Sequence, residues 1–297
     1  MNTVIIVSGP TAVGKTSFAI SLAKHFQTDI ISADSRQCYK EMKIGVARPT
    51  DEELLAVKHY FIASHSVTED LNAGSFEKYA LSAGDKIFQK NKVAIMVGGT
   101  GLYIKAFCEG IDPMPGVPDE VRKQVIESYE QKGLIWLQKE LQQKDPAFWE
   151  VAEQQNPQRL MRALEVLYAT GQSIMVYRTA KKAERSFKII KIGLELAKEE
   201  LHARIQQRVD QMMEDGLLDE VKSLMPYRSH NALQTVGYKE LFDHLDGKTN
   251  LEEAVANIKT NTRHYAKRQM TWFKKDGEIA WMEPSVENVT SIMENDS

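Results

Sequence analysis

Apolar positions along this chain change period several times. Residues 4–7 (Val-Ile-Ile-Val) form an unbroken apolar run rich in β-branched side chains, as expected of a strand covered on both faces in a parallel sheet. Residues 16–26 switch to helical spacing, with Phe18, Ala19, Leu22, Ala23 and Phe26 on one side. Further strands are predicted over 29–32, 92–97 and 188–194. Strand alternating with helix predicts an α/β sheet. Polar residues collect just past three of the strands, at the edge where open α/β sheets bind ligands. A proline-rich break at 112–118 then opens a stretch, 119–177, with helical spacing and no strand. Helices are predicted again at 198–215, 217–224, 235–246 and 251–275. The expected organisation is a parallel sheet flanked by helices (1–112 and 188–297), interrupted by an all-helical insertion (113–187).

Length and composition agree with this division. The 297 residues exceed the roughly 250 at which single cores stop growing. A net charge of -3 gives no global signal for nucleic acid, so any such signal must be local. The two cysteines, Cys38 and Cys108, make neither a zinc site nor a disulfide framework, and they fit a reducing cytoplasm. Residues 3–7 follow no basic leader, so no signal peptide is expected. No apolar run reaches the ~20 residues of a membrane span.

The sharpest motif is Gly9, Pro10, Thr11, Ala12, Val13, Gly14, Lys15, Thr16, a complete phosphate-binding loop between a predicted strand and a predicted helix. Glycines open backbone conformations that let N–H groups point inward at an anion, and the helix N-terminus adds its dipole. Lys15 supplies a point charge and Thr16 a hydroxyl for a phosphate-bound Mg²⁺. The fold expected is therefore P-loop NTPase-like. The loop alone does not choose among a kinase, an NTPase and a prenyltransferase.

Other candidates carry two readings each. Asp34, with Ser35, Arg36 and Gln37 after it, is placed for a general base or metal-water ligand, and equally for a turn or helix cap. Thr100, after Gly98 and Gly99, approaches a ligand or caps a helix. No Walker-B aspartate ends that strand, which weighs against a conventional ATPase. Residues 259–275 hold six Lys or Arg and no acid. Lys259, Arg263 and Lys267 recur at i, i+4, i+8, a stripe suited either to a phosphate backbone or to solvent. Tyr265, Trp272 and Phe273 either stack bases or fill a core. In the insertion, Arg159 and Arg162 share a helix face while Leu160 and Leu164 point inward. Arg122 stands earlier, and Glu165 is a nearby acid for an arginine to pair with. Arg204 and Arg208 share a face, fit to clamp a diphosphate or to pair locally.

Taken together, residues 9–16, 31–39, 98–103, 158–166, 204–212, 216–221, 235–240 and 262–273 resemble the tRNA dimethylallyltransferase (tRNA isopentenyltransferase) family of bacterial type, from residue 4 to about 275. Outside the phosphate loop these blocks, in this order, are specific. The resemblance implies transfer of a dimethylallyl group from dimethylallyl diphosphate to the exocyclic amine of the adenosine 3′ of a tRNA anticodon, with Mg²⁺ as cofactor and the base flipped from its stack. It implies that residues 9–16 hold the diphosphate, that Asp34 is the general base, and that Thr100 contacts the bridging oxygen; Arg204 and Arg208 are candidates to join the diphosphate grip, with the balance between them left open. Asp34, Ser35, Arg36, Gln37, Arg122, Gln158, Arg159, Leu160, Met161, Arg162, Gly237, Tyr238, Arg263, Lys267 and Arg268 would meet the anticodon stem-loop of tRNA. The expected protein is a cytoplasmic monomer without membrane contact. Two departures stand out: Val46 and Arg48 occupy positions where the family has Thr and Lys, and the zinc finger of eukaryotic members is absent. The competing readings are an adenylate isopentenyltransferase, which has no use for the insertion or the basic helix, and a nucleotide-dependent RNA-binding module or kinase.

Overall fold

The computed structural model describes residues 1–179 and 181–295. It divides into one unit formed by Met1–Gly110 with Glu184–Ser297, and a second formed by Ile111–Ala183. In chain order the first unit begins with β1 (Thr3–Ser8), α1 (Lys15–His25), β2 (Ile30–Ser32), α2 (Asp51–Ala56), β3 (His59–Tyr60), α3 (Ala73–Phe88), β4 (Val93–Gly98) and α4 (Gly101–Glu109). The second unit holds α5 (Asp119–Lys144), α6 (Pro146–Val151) and α7 (Pro157–Thr170). The first resumes with β5 (Lys188–Gly193), α8 (Lys198–Glu214), α9 (Leu217–Ser223), α10 (Tyr238–Leu245), α11 (Leu251–Phe273), β6 (Ala280–Trp281) and α12 (Val286–Asn295).

The sheet runs β3-β2-β4-β1-β5-β6, with every pairing parallel. Its centre explains the unbroken apolar run. Val4 and Ile6 join one hydrophobic cluster with Ile31, Phe76 and Met96, while Ile5 and Val7 join another with Phe18, Leu22 and Ile95. Both faces of β1 are covered, which is why Val4 to Val7 are all apolar and the polar Thr3 and Ser8 stand only at its ends. Register does the rest. Ser8 pairs with Gly98, and Val97 with Ser32. The loops after β1, β4 and β2 therefore leave the same carboxyl edge side by side.

Two strands escaped the sequence reading: β3 and β6 are two residues each, too short to show a period. Helix α3 was also missed, although Phe76, Ala80, Ala83 and Ile87 are buried at helical spacing. The core resumes at Glu184 rather than at residue 188. Arg185 holds it there, donating to the carbonyls of Ala106 and Phe107 and pairing with Glu77 at 2.7 Å.

In the helical unit, Val125, Leu137, Leu141, Phe148, Leu160 and Leu164 form a separate core. Helix α5 bends at Gly133 (φ 71). Helix α7 starts on Asn156, whose side chain accepts from the Arg159 N–H, and continues through Pro157, a residue suited to a first turn.

Candidate active site

The phosphate loop passes from β1 into α1 through Gly14, which takes φ +99 at the helix N-cap, a conformation open chiefly to glycine. Thr11, Ala12, Gly14, Lys15 and Thr16 line a cavity of about 320 Å³ together with Ser32, Asp34, Val46, His59, Arg208, Tyr265 and Gln269. Gly9, Pro10 and Val13 are buried beneath that lining. The Lys15 ammonium donates to the Pro10 carbonyl at 2.7 Å. Burial lowers its pKa to about 7, with nearby Asp34 opposing the shift and Arg208 reinforcing it. Arg208 also lies below its usual pKa, through burial alone. Its Nη1 reaches only the Thr11 hydroxyl, at 3.5 Å, and it pairs with no acid among the described residues. Lys15 and Arg208 thus face one cavity with no acid bonded to either among the described residues, although Asp34 and Glu53 also line it; two such cations beside the loop N–H groups suit an anionic ligand.

The two oxygens of Asp34 have different surroundings. Oδ1 accepts the N–H groups of Arg36 and Gln37 at 2.8 and 3.2 Å, closing a turn. Oδ2 accepts no hydrogen bond among the described residues, and Asp34 lines the cavity. Thr100 occupies the N-cap of α4 but makes no capping bond. Its Oγ1 accepts from the Ser35 N–H at 3.0 Å and donates to Ser35 Oγ at 3.3 Å, joining the β4 loop to the β2 loop. Thr100 is not part of the cavity lining; Tyr265, which interacts with it, is.

The IPP transferase family model matches residues 37–276. A tRNA dimethylallyltransferase of Christiangramia forsetii is 51% identical, covering 95% of this chain and 93% of that protein. One from Bacteroides thetaiotaomicron, tRNA dimethylallyltransferase 1, is 46% identical over 99% and 95%. Among solved structures, the full-length tRNA isopentenylpyrophosphate transferase of Bacillus halodurans superposes with a TM-score of 0.73 at 32% identity, covering 99% of this chain and 96% of that one. A eukaryotic dimethylallyltransferase acting on tRNA does so at 0.77 and 27%, covering 96% and 74%.

The chain belongs to the tRNA dimethylallyltransferase family.

Within that family frame, the structure corrects several assignments. Arg204 is exposed and bound to Glu200 at 2.8 Å, one turn back on α8. It lines an adjoining cavity with Ala12, Gly14 and Arg208, so of the two only Arg208 also lines the cavity of Lys15 and Asp34. Tyr238 is fully buried and donates to Glu220 Oε1 at 2.6 Å. Gly237 is buried beside it, its N–H on Glu240. Neither is a surface for RNA. Leu160 and Met161 lie in the core of the helical unit, because their positions on α7 turn inward with Ala163 and Leu164. Gln158 and Arg159 remain exposed, with Arg159 on Glu153 at 2.8 Å. Arg162 and Arg122 flank the buried Glu165 at 3.3 and 4.0 Å. On α11, Lys259 pairs with Asp210 and Arg263 donates to Thr260, while Lys267 and Arg268 are exposed.

Three residues went unassigned in the sequence. Glu220 accepts the N–H groups of Lys43, Ile44 and Gly45 and so pins the loop that carries Val46. Arg48 braces the same loop by donating to the carbonyls of Tyr39, Lys40 and Met42, which one guanidinium nitrogen spans; Gln37 fixes its far side through the carbonyls of Val46 and Ala47. Gln269 is a buried amide at the inward spacing of Ala266 and Phe273. A polar residue at a core position of an otherwise basic stretch was the available signal.

Proposed function

We propose that this chain transfers a dimethylallyl group from dimethylallyl diphosphate to the exocyclic amine of an adenosine next to the anticodon of tRNA. The observation carrying this reading is the single cavity on which the phosphate loop, Arg208 and Asp34 converge. An anion grip stands there beside a carboxylate oxygen that accepts no hydrogen bond among the described residues. The amine nitrogen attacks the allylic carbon, the carbon–oxygen bond breaks, and the diphosphate departs with the bonding electrons. Lys15, Arg208 and the loop N–H groups receive that charge. Asp34 Oδ2 takes the amine proton. Thr100 holds Ser35, and through it the loop of Asp34, against the leaving oxygen. An adjoining cavity of about 110 Å³ shares Asp34, Val46, Arg208 and Tyr265 and is walled by Val209, Met212, Val236 and Ile258. Its apolar walls suit a short branched hydrocarbon, and Val46 in place of a hydroxyl residue extends them.

The donor set fits Mg²⁺. Among the described residues no three His, Cys, Asp or Glu form a metal cage. Mg²⁺ takes few protein ligands and completes its shell with water and phosphate oxygens, which the Thr16 hydroxyl beside a bound diphosphate allows. When bound it would neutralise charge on the leaving group. RNA would meet the exposed Lys267 and Arg268 with Arg36 and Ser35, and Arg122, Gln158, Arg159 and Arg162 of the helical unit, as phosphate and sugar contacts. No helix among the described residues is long and apolar enough to cross a membrane, and two buried free cysteines suit the reducing cytoplasm.

The test is incubation with labelled dimethylallyl diphosphate and either tRNA or AMP, followed by mass spectrometry of the nucleosides. Prenylated adenosine from tRNA alone is expected. Label on AMP alone overturns the acceptor.

A further inference from the structure

Gln269 spends both ends of its amide on different loops. It is 7% exposed. Its Oε1 accepts the Thr11 N–H of the phosphate loop at 2.8 Å, and its Nε2 donates to the Gly99 carbonyl, next to Thr100, at 3.0 Å. The ladder between β1 and β4 ends at Ser8 and Gly98. A side-chain amide carries both an acceptor oxygen and N–H donors, so Gln269 bridges the two loops just beyond the last paired strand residues. The approach leaves no slack: a Cβ on Gly99 would collide with Gln269 Nε2, and one on Gly101 with the indole of Trp272. Tyr265, one turn before Gln269, lines the cavity. Gln269 is thus the buried point at which α11 meets the reaction loops, flanked by the partly exposed rings of Tyr265 and Trp272, while His264, Lys267 and Arg268 of the same helix are exposed.

We propose that Gln269 is a positioning residue that fixes the spacing between the phosphate loop and the Thr100 loop, and that through it RNA seated on α11 tightens the grip on diphosphate. This rests on the reading of the site as a prenyl-transfer centre. Its physical basis is that the leaving group is held by one loop and the Thr100–Ser35–Asp34 assembly by the other. A shift of about 1 Å between them is enough to cost on the order of 10²-fold in rate. A buried amide with both partners in place also resists such a shift, since losing one leaves a buried polar group unpaired.

Full-length Gln269→Ala, Gly99→Ala and the double variant test this. Each single change is expected to lower kcat by roughly 10- to 100-fold, with the Kd for an anticodon stem-loop RNA within about 2-fold of wild type. The double variant should be no slower than Gln269→Ala, because the new methyl on residue 99 then has room. Additive losses, or unchanged kcat in either single variant, overturn the proposal. A second arm measures the Kd of inorganic diphosphate with and without the stem-loop RNA. The wild type is expected to bind it about 5-fold more tightly with RNA present, and Gln269→Ala equally in both cases. Coupling absent from the wild type, or kept in the variant, also overturns it. If Gln269→Ala does not fold, Gln269→Met, which keeps the side-chain length without either hydrogen bond, carries both arms. Wild-type protein that transfers no label would refute the prenyl-transfer reading, whereas the diphosphate measurements still judge Gln269.

Discussion

Thr11, Ala12, Gly14, Lys15 and Thr16 of the phosphate loop all line one cavity, whereas residues 158–162 on α7 divide between solvent and the core of the helical unit. The difference follows from backbone geometry. A loop after a strand has no fixed period, so consecutive residues can turn toward one ligand. A helix returns every 3.6 residues, so any five in a row must include some that face inward. Partners differ as well. Arg208 and Lys15 are partly buried with no acid bonded to them among the described residues, while Arg159 is half exposed and already paired with Glu153. Substitutions in the core unit should therefore act on chemistry and by large factors, and those on α7 should act weakly, on association.

The largest effect is expected at Asp34. Asp34→Asn keeps an acceptor for the turn but loses the base, so kcat should fall by roughly 10²- to 10⁴-fold while RNA affinity holds. A variant that loses RNA binding at unchanged kcat would move Asp34 from the chemistry to the RNA surface and erase the contrast with α7.

Lys15 comes next. Lys15→Met should cost about 10²- to 10³-fold in kcat, as for loss of one preorganised donor. Its pH signature is more specific. In the free protein the ammonium is held down to about 7, so above that pH the lysine is largely neutral, and binding a diphosphate must restore its proton. Affinity should therefore level off below pH 7 and fall as pH rises above it. Calorimetry at pH 8 in buffers of different ionisation enthalpy should show proton uptake in the wild type that is missing in Lys15→Met. The comparison cancels the titration of the ligand itself, and equal uptake in both proteins would remove Lys15 from the anion grip.

These expectations separate what was legible in the sequence from what was not. The phosphate loop, the four longer strands and the helical insertion all carry their signal locally, in glycine spacing or apolar period. So does the inward face of α7. The roles of Gln269, Glu220 and Arg48 depend on pairings across 170 to 258 residues for the first two and on three carbonyls converging on one guanidinium for the third. No local pattern encodes such pairings. Tyr238 misled for the same reason: within a polar, RNA-directed motif it reads as surface, but Glu220 and Gly45 close over it.

Arg208 and Arg204, four residues apart on α8, offer the comparison inside a single helix. Arg208→Ala should raise the KM for dimethylallyl diphosphate by about 10-fold or more, the cost of a partly buried charged contact. Arg204→Ala should change it by no more than about 2-fold, as for an exposed i, i+4 ion pair. Equal effects would mean that Arg204 leaves Glu200 when diphosphate binds.

The smallest effect belongs to the helical unit. Arg159→Ala is expected to weaken tRNA binding by only a few-fold at moderate salt, but to reduce the slope of log Kd against log salt by about 1, because one phosphate contact releases about one counterion. Its pairing with Glu153 limits the gain available, since that ion pair must break for the guanidinium to meet a phosphate. Glu153→Gln should therefore tighten binding slightly without changing the slope. If both variants leave affinity and slope as they were, α7 presents a solvated face, and recognition of tRNA shifts to the exposed lysine and arginine of α11.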